Sequence, residues 1–146
     1  MLTADCQLQT MVRTLLIDDE AHNRYTLRKL LAMHCPEVCV VGEASGVQTG
    51  ISLIRELRPD LVLLDINMKD GTGFDLLNAF TVIDFKVIFI SAFDKNTIRA
   101  FRLSDVEYLL KPVNPEELKA VVNRTVKSDP EDLKLHLQAL ENNARR

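Results

Sequence analysis

No run of apolar residues in this sequence approaches the roughly 20 that a membrane-spanning helix needs. The first ten residues are polar and aperiodic, without the basic-then-apolar layout of a secretory signal. Neither sign of charge dominates. The formal net charge of -3 gives no electrostatic reason to expect a nucleic acid or a membrane surface as the direct partner of this stretch. Cysteine is scarce, three residues without the spacing of a disulfide framework, and an odd number of that kind points to a reducing compartment, so the cytoplasm is the expected location. Internal repeats and low-complexity segments are lacking too. What remains is the composition of one globular domain with a short extension: 146 residues, 47% hydrophobic and 27% charged.

The stretch Leu61-Val62-Leu63-Leu64-Asp65 organises the rest. Four apolar residues in a row behind the Pro59-Asp60 turn read as a strand buried on both faces, the pattern of parallel sheets covered by helices. Burying an unpartnered charge is costly, so Asp65 belongs where this strand emerges, at the carboxyl edge where open α/β sheets bind ligands. Other strands are predicted at 12–17, 38–41 (closed by Gly42), 85–90 and 106–110. Helical spacing places Leu27, Leu30, Leu31 and His34 on a helix over 21–34, and Val47, Gly50, Ile51, Ile54 and Leu57 on a second. A loop at 67–73 leads to a short helix with Phe74, Leu77 and Phe80 inward. Asp94 caps a helix through about 102, with Ile98 and Phe101 on one face. Asn114-Pro115-Glu116-Glu117 opens another, which carries Leu118, Val121, Val122 and Thr125 inward.

Five strands alternating with five helices predict a doubly wound five-stranded parallel sheet with helices on both faces. Right-handed crossovers leave few topologies, and the flavodoxin-like order 2-1-3-4-5 is the expected one. Residues 1–11 read as a flexible leader and 12–127 as the domain. Residues 128–146 read as a helical linker toward a further domain. Its Leu133, Leu137, Leu140 and Ala144 form one stripe, either a packing face or a dimer seam.

Four strands deliver polar groups to the same edge: Asp18 and Asp19, Asp65, Ser91, and Lys111. Three converging carboxylates repel one another and raise one another's pKa. A hard divalent cation such as Mg²⁺, which takes a few carboxylate oxygens and keeps several waters, removes that penalty. Lysine neutralises a phosphate as a point charge, and a serine hydroxyl can donate to a phosphate oxygen. This is equipment for transferring a phosphoryl group to Asp65 by positioning and charge neutralisation.

Five motifs occur in order over about 12–127: Leu16-Ile17-Asp18-Asp19-Glu20, Leu63-Leu64-Asp65-Ile66, Gly73, Ile90-Ser91-Ala92, and Tyr108-Leu109-Leu110-Lys111-Pro112. With them the chain resembles the receiver domain of bacterial two-component response regulators. The resemblance implies that Asp65 accepts phosphate from a histidine kinase phosphohistidine, so the chain is a phosphoacceptor switch and not an enzyme acting on other substrates. It implies that Asp19, Asp65 and the backbone carbonyl of Asn67 ligate Mg²⁺, with Asp18 acting mainly through a metal-bound water. It further implies that Lys111 pairs with the phosphoryl group, that Ser91 hydrogen-bonds it, that Tyr108 turns inward as Ser91 shifts, and that Lys111-Pro112 is cis. The partners implied are a sensor histidine kinase and a second copy on phosphorylation, through a face with Ile98, Arg99, Phe101, Arg102 and Lys119. The last motif resembles the version found with LytTR output domains, so DNA contact and transcription regulation are expected only through a domain after Arg146. Lys69 departs from the family, which usually has proline after the methionine.

Blander readings apply to each residue alone. An Asp pair after a strand is often a helix cap, Lys-Pro a turn, and a strand tyrosine simply a strand aromatic. His34, Cys35 and Cys39 read as core, the ligand set being incomplete. A phosphatase of the haloacid dehalogenase type would want Asp-x-Asp-Gly-Thr. Asp70-Gly71-Thr72 is present, but Met68 stands at the nucleophile position. A degenerate receiver would lack an acid or the lysine, and none is missing.

Overall fold

The computed structural model describes residues 11–92, 94–96, 99–100 and 106–128. Five parallel strands form the main sheet in the order β2-β1-β3-β6-β7: β1 (Val12–Ile17), β2 (Val38–Ala44), β3 (Leu61–Asp65), β6 (Lys86–Ala92) and β7 (Tyr108–Lys111). This is the flavodoxin-like order expected from the alternation of elements. Between β3 and β6 lies a two-stranded antiparallel hairpin, β4 (Asn67–Met68) and β5 (Gly71–Thr72).

The central strand is buried at all five positions, and its alternating side chains feed two cores. Val62 and Leu64 join Leu15, Ile17, Val87 and Phe89 under α2 (Val47–Leu57) and α3 (Gly73–Asn78), which contribute Ile51, Ile54, Leu76 and Leu77. Leu61 and Leu63 join Leu16, Ile88 and Ile90 under α1 (Ala21–His34) and α4 (Pro115–Lys127), which contribute Leu27, Leu31, Leu118 and Val122. The period of two along a strand sorts one sequence into both layers. Truncating Leu63, 1% exposed, to alanine would cost about 2–5 kcal/mol.

Helix α4 starts as its sequence dictates. The Asn114 side-chain oxygen accepts the N–H groups of Glu116 and Glu117 at 2.8 and 3.2 Å, with Pro115 in the first turn. Asp94 likewise accepts the Asn96 N–H at 2.8 Å. Lys95, Asn96, Arg99 and Ala100 are helical; Ile98, Phe101 and Arg102, and the 129–146 extension, lie outside the described residues, as does the leader over 1–10.

Three expectations about elements are corrected. Strand β2 does not stop at Gly42 but runs on to Ala44, with a register shift where Thr14 faces Val40 and Leu15 faces Gly42; ladder pairing to β1 overrides the local glycine signal. The 67–73 loop contains the β4–β5 hairpin. Helix α3 ends at Asn78, so Phe80 lies past it and packs edge-on against Phe85, ring centroids 5.5 Å apart. Cys35 and Cys39 are buried and His34 is half-buried at the end of α1. Among the described residues, the group of side chains able to hold a metal is a different one.

Candidate functional site

Strands β1, β3, β6 and β7 all end on the same side of the sheet because they are parallel, and their last residues meet there. Lys111 Nζ stands 3.1 Å from Asp18 Oδ2 and 3.3 Å from Asp65 Oδ2, so one ammonium bridges carboxylates that are 47 positions apart in sequence. Asp18 and Asp65 are 2% and 5% exposed. Burial pushes the Asp65 carboxyl up to about 6, and the Asp18 charge adds to this; the Lys111 cation pulls the other way without cancelling it. Burial opposes the charge on Lys111 as well, but Asp65 and Asp18 outweigh it and hold the ammonium above its usual pKa.

One oxygen from each of Asp18, Asp19 and Asp65 falls within a 4.8 Å span. Asp18 Oδ1 accepts the Glu20 N–H at 2.8 Å, closing a turn ahead of α1, whose N-cap is Glu20 and which has no side-chain cap bond. Its other oxygen, Oδ2, is buried, and among the described residues its one close partner is the Lys111 ammonium at 3.1 Å, an ion pair outside good hydrogen-bond geometry. A buried carboxylate oxygen left in this state, within a set of hard oxygen donors, fits a hard divalent cation or a water bound to one. Asn67 is the second residue after β3 and opens the hairpin, exposed and paired in register with Thr72.

Ser91 is buried near the end of β6, and its hydroxyl donates to the Ala92 carbonyl at 3.0 Å. It faces Leu110 across the ladder, and Ala92 faces Lys111. Tyr108 starts β7 opposite Phe89, half-buried against the core under α2 and α3. The Lys111-Pro112 peptide is cis. Gly73 fills a steric role at the site: a Cβ there would sit 2.9 Å from the Asp65 carbonyl oxygen, a backbone atom that cannot step aside, so α3 can start against the end of β3 only from glycine.

Several residues that shape the edge were not among the predicted site residues. Arg24 donates to the Asp18 main-chain carbonyl at 2.6 Å and pairs with Glu43 at 3.2 Å. The Lys69 main-chain N–H donates to Asp19 Oδ2 at 3.0 Å. Asp70 accepts the Val47 and Gln48 N–H groups at 2.8 and 3.2 Å and so caps α2, whose own N-cap is the side-chain-free Gly46. These backbone bonds hold the Asp70 carboxyl below the usual carboxylate range. Thr72 caps α3 through a capping box with Asp75. The Asp70-Gly71-Thr72 string thus has structural work in both its polar members, and Met68 packs against the core, which leaves the dehalogenase-type alternative without a nucleophile.

Comparison with known proteins places this edge in context. The response regulator receiver domain family matches residues 14–123. The chain is 40% identical over 119 residues to an uncharacterized response regulatory protein of Vibrio vulnificus, covering 81% of this chain and 49% of that one. It is 32% identical over 118 residues to the sensory transduction protein LytT of Enterococcus faecalis, covering 80% and 48%. Among solved structures, it is similar to the response regulator domain of Thermotoga maritima CheB, with a TM-score of 0.67 and 26% identity over 82% of this chain and 99% of that one. The chain spans about half the length of the curated relatives it matches.

Proposed function

The chain belongs to the response regulator receiver domain family, and on that premise we propose that it is a switch in which Asp65 takes a phosphoryl group from the phosphohistidine of a sensor histidine kinase. The observation that carries the reading is the Lys111 ammonium held between Asp18 and Asp65. An Asp65 oxygen attacks phosphorus, the P–N bond to the imidazole breaks, and the electron pair returns to the ring nitrogen. Asp18, Asp19 and Asp65, with the Asn67 carbonyl, would hold Mg²⁺, which when bound neutralises the carboxylates and the phosphoryl oxygens. Lys111, already 3.3 Å from the acceptor, then neutralises a phosphoryl oxygen.

The Ser91 hydroxyl, now on the Ala92 carbonyl, is free to turn toward the new phosphoryl oxygen, and Tyr108, on the adjoining strand, follows it inward. The surface beside β7 and α4 changes with them and controls self-association or an output domain. DNA binding and transcription regulation would belong to that further domain, in keeping with the LytTR-like Tyr108–Pro112 motif. None of the helices among the described residues is long and apolar enough to cross a membrane, and the cytoplasm is the setting the reading requires. The test is incubation with acetyl phosphate and Mg²⁺, followed by mapping of the acyl phosphate. Label on Asp65, lost in Asp65→Asn, is expected; undiminished label in that variant rejects the assignment.

A further inference from the structure

The hairpin after the phosphoacceptor strand is short: Met68 pairs with Gly71, so Lys69 and Asp70 are its two central residues. Neither of their N–H groups is taken by the β4–β5 ladder. The Lys69 N–H instead reaches across 50 positions of sequence to Asp19 Oδ2 at 3.0 Å. The turn itself is anchored from the other side, because the Asp70 carboxylate is bound to the first two N–H groups of α2 at 2.8 and 3.2 Å. Space for this is kept by Gly46, where a Cβ would lie 2.7 Å from Asp70 Oδ1. The donor on Asp19 is therefore fixed at both ends, by the hairpin strands and by α2.

We infer that Lys69 is a positioning residue for the metal pocket through its main-chain N–H, which holds the Asp19 carboxylate in the orientation it needs as a ligand. This deepens the proposed reading of the pocket and rests on it. The physical basis is general. Carboxylates that ligate a cation are themselves held by hydrogen bonds, and loss of such a partner costs about 10–100-fold in metal affinity. Asp19 is half-buried and projects from the chain just past β1, so without a partner its side chain has rotamers to lose on ligation. At this position proline, the residue usual in the family, has no N–H to give. The lysine side chain plays no part in this; any residue except proline supplies the donor.

Proline is also the natural probe. It is favoured at the first central position of type I and II turns, and Arg58 is the one non-glycine residue with positive φ among the described residues, so the Lys69 backbone lies on the side of φ that proline accepts. Mg²⁺ is titrated calorimetrically into the wild type, Lys69→Ala and Lys69→Pro, with the melting temperature of each in EDTA as the fold control. Both variants lose the ammonium, so their difference isolates the N–H. Lys69→Pro is expected to bind Mg²⁺ at least about tenfold more weakly than Lys69→Ala. Equal affinities in the two variants overturn the inference. A wild-type chain that binds no Mg²⁺ overturns the reading of the pocket beneath it. If Lys69→Pro does not fold, hydrogen exchange at the Lys69 amide decides: the exposed amide is protected in the wild type and loses protection in Asp19→Ala. Identical exchange rates in the two overturn it as well.

Discussion

Arg24 and Asp18 are joined through the main chain: the guanidinium donates to the Asp18 carbonyl at 2.6 Å, so the first turn of α1 is tied to the carboxyl end of β1. The same guanidinium pairs with Glu43 on β2, which Arg28 also contacts. Arg24 is thus a three-way joint under the acidic pocket. Arg24→Gln should cost about 1.5–3 kcal/mol, the usual worth of a hydrogen bond to a charged group, seen as a lower midpoint in urea unfolding. A midpoint equal to wild type would show that the joint holds nothing.

Asp65 should destabilise the metal-free fold at neutral pH. Its carboxyl is raised from 3.8 to about 6, so the folded state binds its proton more tightly than the unfolded state. The contribution to stability is fully present below about 4 and lost as pH rises through about 6. Two pKa units correspond to about 3 kcal/mol. In EDTA at pH 7.5, Asp65→Asn should therefore melt higher than the wild type, and the gap should close toward pH 4. Saturating Mg²⁺ should raise the wild type selectively. A variant no more stable than wild type in EDTA at pH 7.5 contradicts this.

Asp70 works in the opposite sense. Its carboxyl is lowered by the Val47 and Gln48 N–H groups, so its contribution is present above the ordinary carboxylate pKa and lost as pH falls through the lowered value. Asp70→Ala should melt below the wild type at pH 7, and the difference should fade in acid. Hydrogen exchange at Val47 and Gln48 should quicken in the variant at pH 7; unchanged exchange there would mean that the cap is idle.

Phosphorylation should change the association state. A ligand shifts an equilibrium only by its differential affinity for the two states, and here the two states would differ at Ser91, Tyr108 and the adjoining surface. Arg99 and Lys119 are exposed there. Sedimentation with Mg²⁺ and beryllofluoride, a phosphoryl mimic, should show a doubled mass that Asp65→Asn does not reach. A constant mass over a wide concentration range would assign the face to another domain.

Much of this protein is legible without coordinates, and the reason is periodicity. The apolar run over Leu61–Leu64 has one economical fate, a strand with helices on both faces, and that fate puts Asp65 at a sheet edge. Asp18, Asp19, Ser91 and Lys111 follow because parallel strands deliver their ends to the same side. The sequence by itself therefore determined the architecture and which strand ends share one edge of the sheet. Tertiary structure alone decided how the site is held. The Lys69 N–H on Asp19 is a main-chain donor, present at every residue but proline, and it bridges 50 positions. The Asp70 cap on α2 bridges 23, and the Arg24 bond to Asp18 ends on a carbonyl that every residue carries. Strand β2 runs past Gly42 because pairing with β1 outweighs a local signal. Backbone groups have no residue signature, so their partners are chosen only once packing has fixed which loops and helix ends come within 3 Å of one another.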